Sequence, residues 1–258
     1  MAAWLELESE IESIYEETLT QTKRDFALTR EQILMILDRY INKDGSINKS
    51  KLRRILEETD GISAAQARGL YEGTEEGMSK AAKATAAFLL ANVGAITKAA
   101  ELDAESAVAL KRWADGLNLR DRTKILAGKH SDEIRNIIRR GVYKGETTDA
   151  LRNKIRDYYD GEEWQIDRIV ESEVYNTHRL QFGHTARESG VQWVQFNEYF
   201  PASKNRENHE CFTYAREDNY GLGAGIFHID DDKIYSPHPR CTGYLSIPTN
   251  LDTEGVTR

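Results

Sequence analysis

The chain has 258 residues, of which 40% are hydrophobic and 30% charged, and its formal net charge is −8. Such a length holds one large domain or two small ones, and this apolar content can build a core, which excludes wholesale disorder. An acidic surface repels phosphate, so nucleic-acid binding over the whole protein is excluded and any DNA contact must be local.

The N-terminal Met1-Ala-Ala-Trp-Leu-Glu-Leu-Glu turns acidic at once, whereas a secretory signal needs a basic start and an apolar run. All four prolines (Pro201, Pro237, Pro239, Pro248) lie beyond residue 200. Proline costs about 3 kcal/mol inside a helix, so the long stretch without it reads as helical. Leu7, Ile11, Ile14, Tyr15, Thr18 and Leu19 recur at helical steps and predict a first helix. Ile33, Ile36, Leu37, Tyr40 and Ile41 predict a second, which ends at the turn Asn42-Lys-Asp-Gly45. That turn is not a calcium loop. With Gly45 in the sixth position, the first and twelfth would be Tyr40 and Lys51, where calcium needs carboxylates.

Further helices are expected over 48–58, over 63–100 with a break near Gly73 or Gly77, over 103–116, and over 119–140 with an interruption at Gly128. Two more follow, over 147–159 and 163–188, the former capped by Thr147 or Thr148. The uncharged run Ala84 to Thr97 is shorter than the ~20 residues a spanning helix requires, and it reads as a buried alanine-rich helix with no membrane role.

After Gly190 the pattern changes. Val191-Gln-Trp-Val-Gln-Phe-Asn197 alternates as a strand does, and Ile226-Phe-His-Ile229 and Tyr244-Leu-Ser-Ile247 are shorter strand candidates. The fold expected is mainly α with a small α+β C-terminal end: a long helical body followed by a short-stranded, loop-rich subdomain. The boundaries drawn are a helical N-terminal region over 1–118 and a second region over 119–258, whose residues 191–258 are the strand-and-loop end.

Charge is uneven along the chain. Residues 111–144 hold ten bases against four acids. Arg135, Arg139 and Arg140 from this tract are candidates for contact with a partner or DNA, the alternative being a solvated helix face.

Four segments in fixed order resemble the phage Mu F-like head-morphogenesis family. They are Ile138-Arg-Arg-Gly-Val-Tyr-Lys-Gly145 with the helix from Leu151; Arg168-Ile-Val-Glu-Ser-Glu173 with Tyr175-Asn176 and Gln181-Phe-Gly183; Glu188-Ser-Gly-Val191 leading to Trp193; and His209-Glu-Cys211 followed by Ser236-Pro-His-Pro-Arg-Cys241. The resemblance covers a little under half the chain. It implies a non-enzymatic minor head protein of a tailed bacteriophage, found in the virion head and made in the host cytoplasm. It would associate with the portal protein, and with capsid or scaffolding protein, and act in head assembly or DNA passage. Family members often carry a second cysteine in each of the last two motifs, where this chain has Tyr214 and Gly243.

His209, Cys211, His238 and Cys241 are the candidate metal ligands, a set that would satisfy a tetrahedral structural zinc. A disulfide and plain packing are the alternatives, with His228 as a substitute ligand. Arg168, Glu173 and Gly190 are expected to be structural. Glu173 falls on an apolar stripe, where it needs either a basic partner such as Arg139 or Arg140, or access to water. Rival readings are a helical adaptor of unrelated origin, a metal nuclease, and an ADP-ribosyltransferase built on Glu171-Ser-Glu173. That last enzyme type keeps its pair on a turn, whereas here it is placed mid-helix.

Overall fold

With no proline before residue 201, nothing in the backbone forces helices to stop, and four of them run on. A computed structural model describes residues 2–96, 111–112, 116–199 and 210–248. The helices are α1 (Ala2–Arg39), α2 (Leu52–Asn92), α3 (Leu119–Lys144) and α4 (Thr148–Glu188), with a short α5 (Glu210–Arg216). Strands β1 (Trp193–Asn197), β2 (Ile226–His228) and β3 (Tyr244–Ser246) form an antiparallel sheet in the order β2-β1-β3. The mainly α chain with a small α+β end is therefore what the sequence indicates.

Element boundaries differ from the expectation in one consistent way: helices expected as pairs are single. The two apolar stripes before residue 42 lie on one α1, and α4 passes through Gly161 without a break. An interior glycine costs only about 1 kcal/mol relative to alanine, which the apolar face of a long helix readily offsets. Gly73 does not break α2 either. A Cβ there would lie 3.3 Å from the Thr22 hydroxyl, so the glycine allows α1 and α2 to approach closely. The helix expected over 103–116 falls largely outside the described residues.

The chain forms two compact units. Unit one takes Met1–Glu17, Glu75–Gly116 and Val170–Arg258; unit two takes Thr18–Thr74 and Leu117–Ile169. Each unit therefore draws on both sides of residue 118. Within unit one, Val194 and Phe196 of β1 face inward and pair across the sheet with Phe227 and Leu245. These join Phe182, Ala186, Ile229, Ile234 and Tyr235 in one buried cluster.

Gly190 sets the geometry between α4 and β1. Its φ is +78°, which a side chain would disfavour, and it completes a Schellman end. Val191 N–H donates to the Ala186 carbonyl at 3.0 Å and Gly190 N–H to that of Arg187 at 2.9 Å. The structural role expected of Gly190 is this reversal. At the other end of α4, the Thr147 hydroxyl accepts from Ala150 N–H at 3.3 Å, as a cap. The Asn42–Gly45 turn supports the same end, since the Gly45 carbonyl accepts from both Thr148 N–H and its hydroxyl at 2.9 Å.

Unit two is built on Phe26, Ile33, Leu37, Ile55, Leu70, Ile134, Ile138, Ile155 and Tyr159, all buried. Among them His130 is wholly buried, its Nδ1 3.4 Å from the Gln66 amide nitrogen. The amide can only donate, so Nδ1 accepts and Nε2 carries the proton. Burial, helped by the Lys129 charge, pushes the His130 pKa down to about 4. The unfolded chain then takes up a proton near pH 6.5 while the folded chain does not. Stability is full above that pH and falls as the pH drops toward 4, by about 3 kcal/mol in all. His130→Gln, which stays neutral, should flatten this part of the curve when urea midpoints are followed from pH 7 to 4. Parallel curves for the two proteins would contradict the account.

Candidate metal centre

Cys211 lies in the first turn of α5, and Cys241 follows a loop that returns from β2 to β3. Both are buried, free thiols. Their sulfurs are 3.7 Å apart, and the Cys211 sulfur lies 3.0 Å from His238 Nε2. The three ligand atoms are all within 4.8 Å of one another. A disulfide would need about 2.05 Å. Two thiolates on one tetrahedral zinc, each about 2.3 Å from the metal, stand about 3.8 Å apart, so the sulfur separation is that of a zinc edge.

The remaining geometry also suits a metal. His238 Nδ1 lies 2.9 Å from the Pro239 carbonyl, to which only a protonated Nδ1 can donate. Nε2 is therefore the nitrogen that faces the sulfurs, the orientation a second contact commonly gives to a metal-binding histidine. The thiols differ in acidity. Burial opposes ionisation of Cys241, but hydrogen bonds from Cys211 and His238 and the Arg179 charge outweigh it and hold its pKa well below the ordinary thiol value. The hydrogen bond to Cys241, together with burial, pushes Cys211 up. The pair therefore holds one negative charge readily, and a divalent cation would displace the second proton. Burial pushes His238 down, yet the Cys241 hydrogen bond and charge and the Pro239 carbonyl leave its pKa above the usual value.

His209, the fourth ligand expected, lies outside the described residues. His228 is not a substitute: it sits on β2 with its ring 5.1 Å from that of Trp193, and its Nδ1 accepts from Asp230 N–H at 3.3 Å. The two positions without the family's extra sulfurs are occupied by packing. The Tyr214 ring lies against Phe196 and Phe227. At Gly243 a Cβ would come within 2.4 Å of the Phe196 ring, so no cysteine fits.

Sequence reasoning missed what shapes the loop. Arg179 of α4 is fully buried. It donates to the carbonyls of Tyr235 (3.1 Å), Cys241 (3.0 Å) and Gly243 (2.6 Å), and to the Asn176 amide oxygen (2.6 Å). Arg240 is the only non-glycine with positive φ among the described residues, at 63°. Its N–H donates to the Ser172 hydroxyl at 3.0 Å and its Nε to Glu171 at 2.6 Å. Gly183 lets the loop approach, since a Cβ there would overlap the Tyr235 ring at 2.3 Å. Nothing in the sequence marks Arg179 as buried, since an arginine in a polar stretch of helix reads as a surface residue.

The other expected site residues are spread out. Glu173 is fully buried, which removes the alternative of a carboxylate at the stripe edge reaching water. Arg139 and Arg140 are exposed residues of α3 in unit two, and Arg168 is exposed on α4. Arg135 is partly buried and ion-paired with Asp60.

A second constellation looks catalytic and is not built for it. His178 Nε2 is 3.0 Å from Glu8 and its Nδ1 2.7 Å from the Thr85 hydroxyl, in the order of a nucleophile–base–carboxylate triad. All three residues are fully buried, and Thr85 donates its proton to the Ala81 carbonyl at 2.7 Å. The hydroxyl is therefore an acceptor for His178, and the set ties α1, α2 and α4 together within unit one.

No protein-family model, curated protein or solved structure matches this chain. If zinc occupies the three-ligand cluster, elemental analysis of the purified chain should find about one zinc per protein, and Cys241→Ser should lose it. Chelation should then lower the melting temperature of the C-terminal end without removing the helical circular dichroism. A metal-free protein that fails to take up added zinc would refute the site.

Proposed function

We propose that this protein is a minor head protein of a tailed bacteriophage that associates with the portal and acts in head assembly or DNA passage, its C-terminal end closed by a structural zinc. The observation that supports this reading is the contact between two of the segments that carry the Mu F-like resemblance, the one in α4 and the one that ends at Cys241. Asn176 donates to Ser236 at 3.2 Å, and Ser172 and Glu171 hold Arg240. Gly183 receives Tyr235, and Arg179 binds the carbonyl of Cys241. Two of the four motifs, some sixty residues apart in sequence, thus pack against each other within unit one, which an accidental likeness of short segments gives no reason to expect.

A non-enzymatic role fits the same geometry. Glu171 and Glu173 are buried in the middle of α4, and Glu171 is engaged by Arg240, so neither carboxylate is presented to a substrate. The adaptor reading shares the helical body but gives no role to the cysteine–histidine loop. Virion location, host-cytoplasmic assembly, and capsid or scaffolding contacts belong to the proposal. Among the described residues no helix is long and apolar enough to cross a membrane.

Co-expression with the portal protein of the same phage should yield a complex that co-migrates on size exclusion. Charge reversal of Arg139 and Arg140, which project from α3, should weaken it without changing helix content. Separate migration of the two proteins at micromolar concentration would count against a portal-bound role.

A further inference from the structure

Unit two carries a basic surface that the acidic chain as a whole gives no reason to expect. Five exposed cations lie on the 3-10 turn that leads into α2 (Lys49, Lys51) and on the last turns of α3 (Arg139, Arg140, Lys144), the two segments meeting where Lys49 reaches Tyr143. Among the described residues none of the five has a carboxylate partner. The nearby acids are already engaged. Glu57 pairs with Arg53, Asp60 with Arg135, Glu58 with Arg39 and Arg54, and Glu146 with Lys154. The helix dipole favours cations only at the α3 side of this surface. At the positive end of α2 they are unfavourable, and its first turn holds no acid to offset them.

An aromatic ring stands among these charges. Tyr143 is 63% exposed, with the Lys49 ammonium 5.8 Å from its ring centre. At helical spacing, Arg139 and Arg140 fall one turn before Tyr143 on the same face of α3. Tyr143, Arg135, Lys49 and Arg53 line an open groove of about 380 Å³ together with Leu52, Leu56 and the carboxylates Glu57 and Asp60, which Arg53 and Arg135 neutralise. Both leucines are at least nine-tenths buried, so the groove offers little apolar area to an amphipathic helix. Unpaired cations strung beside an exposed ring are instead what a flexible polyanion with stacking faces requires. The net negative charge elsewhere would repel the same polymer and orient it onto this surface.

We propose that this end of unit two is a docking surface for single-stranded nucleic acid, with Lys49, Lys51, Arg139, Arg140 and Lys144 holding phosphates and Tyr143 stacking on a base. The inference deepens the head-protein reading, in which the same arginines face a partner. It changes the residues expected from sequence alone: Arg135 is engaged by Asp60, and Lys49 and Tyr143 are added.

The test uses the full chain and fluorescence anisotropy with labelled oligo-dT of about twenty nucleotides, a duplex of equal length, and polyglutamate. Wild type should bind oligo-dT at low salt. The triple variant Lys49→Ala/Arg139→Ala/Arg140→Ala should bind at least ~10-fold more weakly, its log K–log salt slope shallower by about 2. Tyr143→Ala should weaken oligo-dT binding more than duplex binding. Arg24→Ala, an exposed cation elsewhere in unit two, should change nothing, and all variants should melt as wild type. Absence of oligo-dT binding, unchanged affinity in the triple variant, or polyglutamate bound as tightly would each overturn the proposal. Portal co-migration is read separately, so loss of oligonucleotide binding with the portal complex intact would reject this surface and leave the head-protein reading standing.

Discussion

Arg179 is a guanidinium wholly enclosed by protein, and its donors go almost entirely to backbone carbonyls of one loop. Burying such a charge costs several kcal/mol unless hydrogen bonds and a nearby negative charge compensate it. The carbonyls of Tyr235, Cys241 and Gly243 supply the first requirement, and the nearby Cys241 sulfur, whose pKa the Arg179 charge helps to lower, bears on the second. The loop in turn has no regular structure of its own between the short 3-10 turn Asp232–Ile234 and β3. Its path is fixed from outside, by Arg179 at three carbonyls and by Ser172 and Glu171 at Arg240. What this arrangement delivers is Cys241 and His238 against Cys211.

Much of this architecture is readable from sequence because it depends on local rules. The stripe of Leu7, Ile11 and Tyr15 and the missing prolines give helices. The alternation of Val194 and Phe196 gives the strand, and Gly190 ends α4 because only that residue type tolerates the conformation easily. Helix boundaries were less legible. Gly73 and Gly161 have the same local meaning as glycines that end helices, and only tertiary packing shows that they do not.

The candidate site divides along the same line. Cysteine and histidine spacing picks out Cys211, His238 and Cys241 as candidates, and the structure brings these three together. Arg179 and Arg240 carry no such mark. An arginine on a polar-looking stretch of helix reads as a surface residue, and only the return of a loop sixty residues later makes it a buried anchor. The acids Glu8 and Glu171 are similar: each looks solvated in sequence and each is buried, whereas the apolar stripe around Glu173 already marked that carboxylate as unusual. Buried charges of this kind specify one arrangement of α1, α2, α4 and the loop within unit one, since any other packing would leave them unpaired.

The central claim, that Arg179 positions the loop that carries the candidate ligands His238 and Cys241, is tested most directly with cobalt(II) as a probe of the site. Wild type should give the intense visible bands of tetrahedral cobalt together with thiolate charge transfer. Arg179→Met, of similar length but without donors, should bind cobalt at least ~10-fold more weakly, the scale of effect expected of a residue that orients metal ligands. Its helical circular dichroism should remain. An Arg179→Met protein with the wild-type cobalt spectrum and affinity would contradict the account.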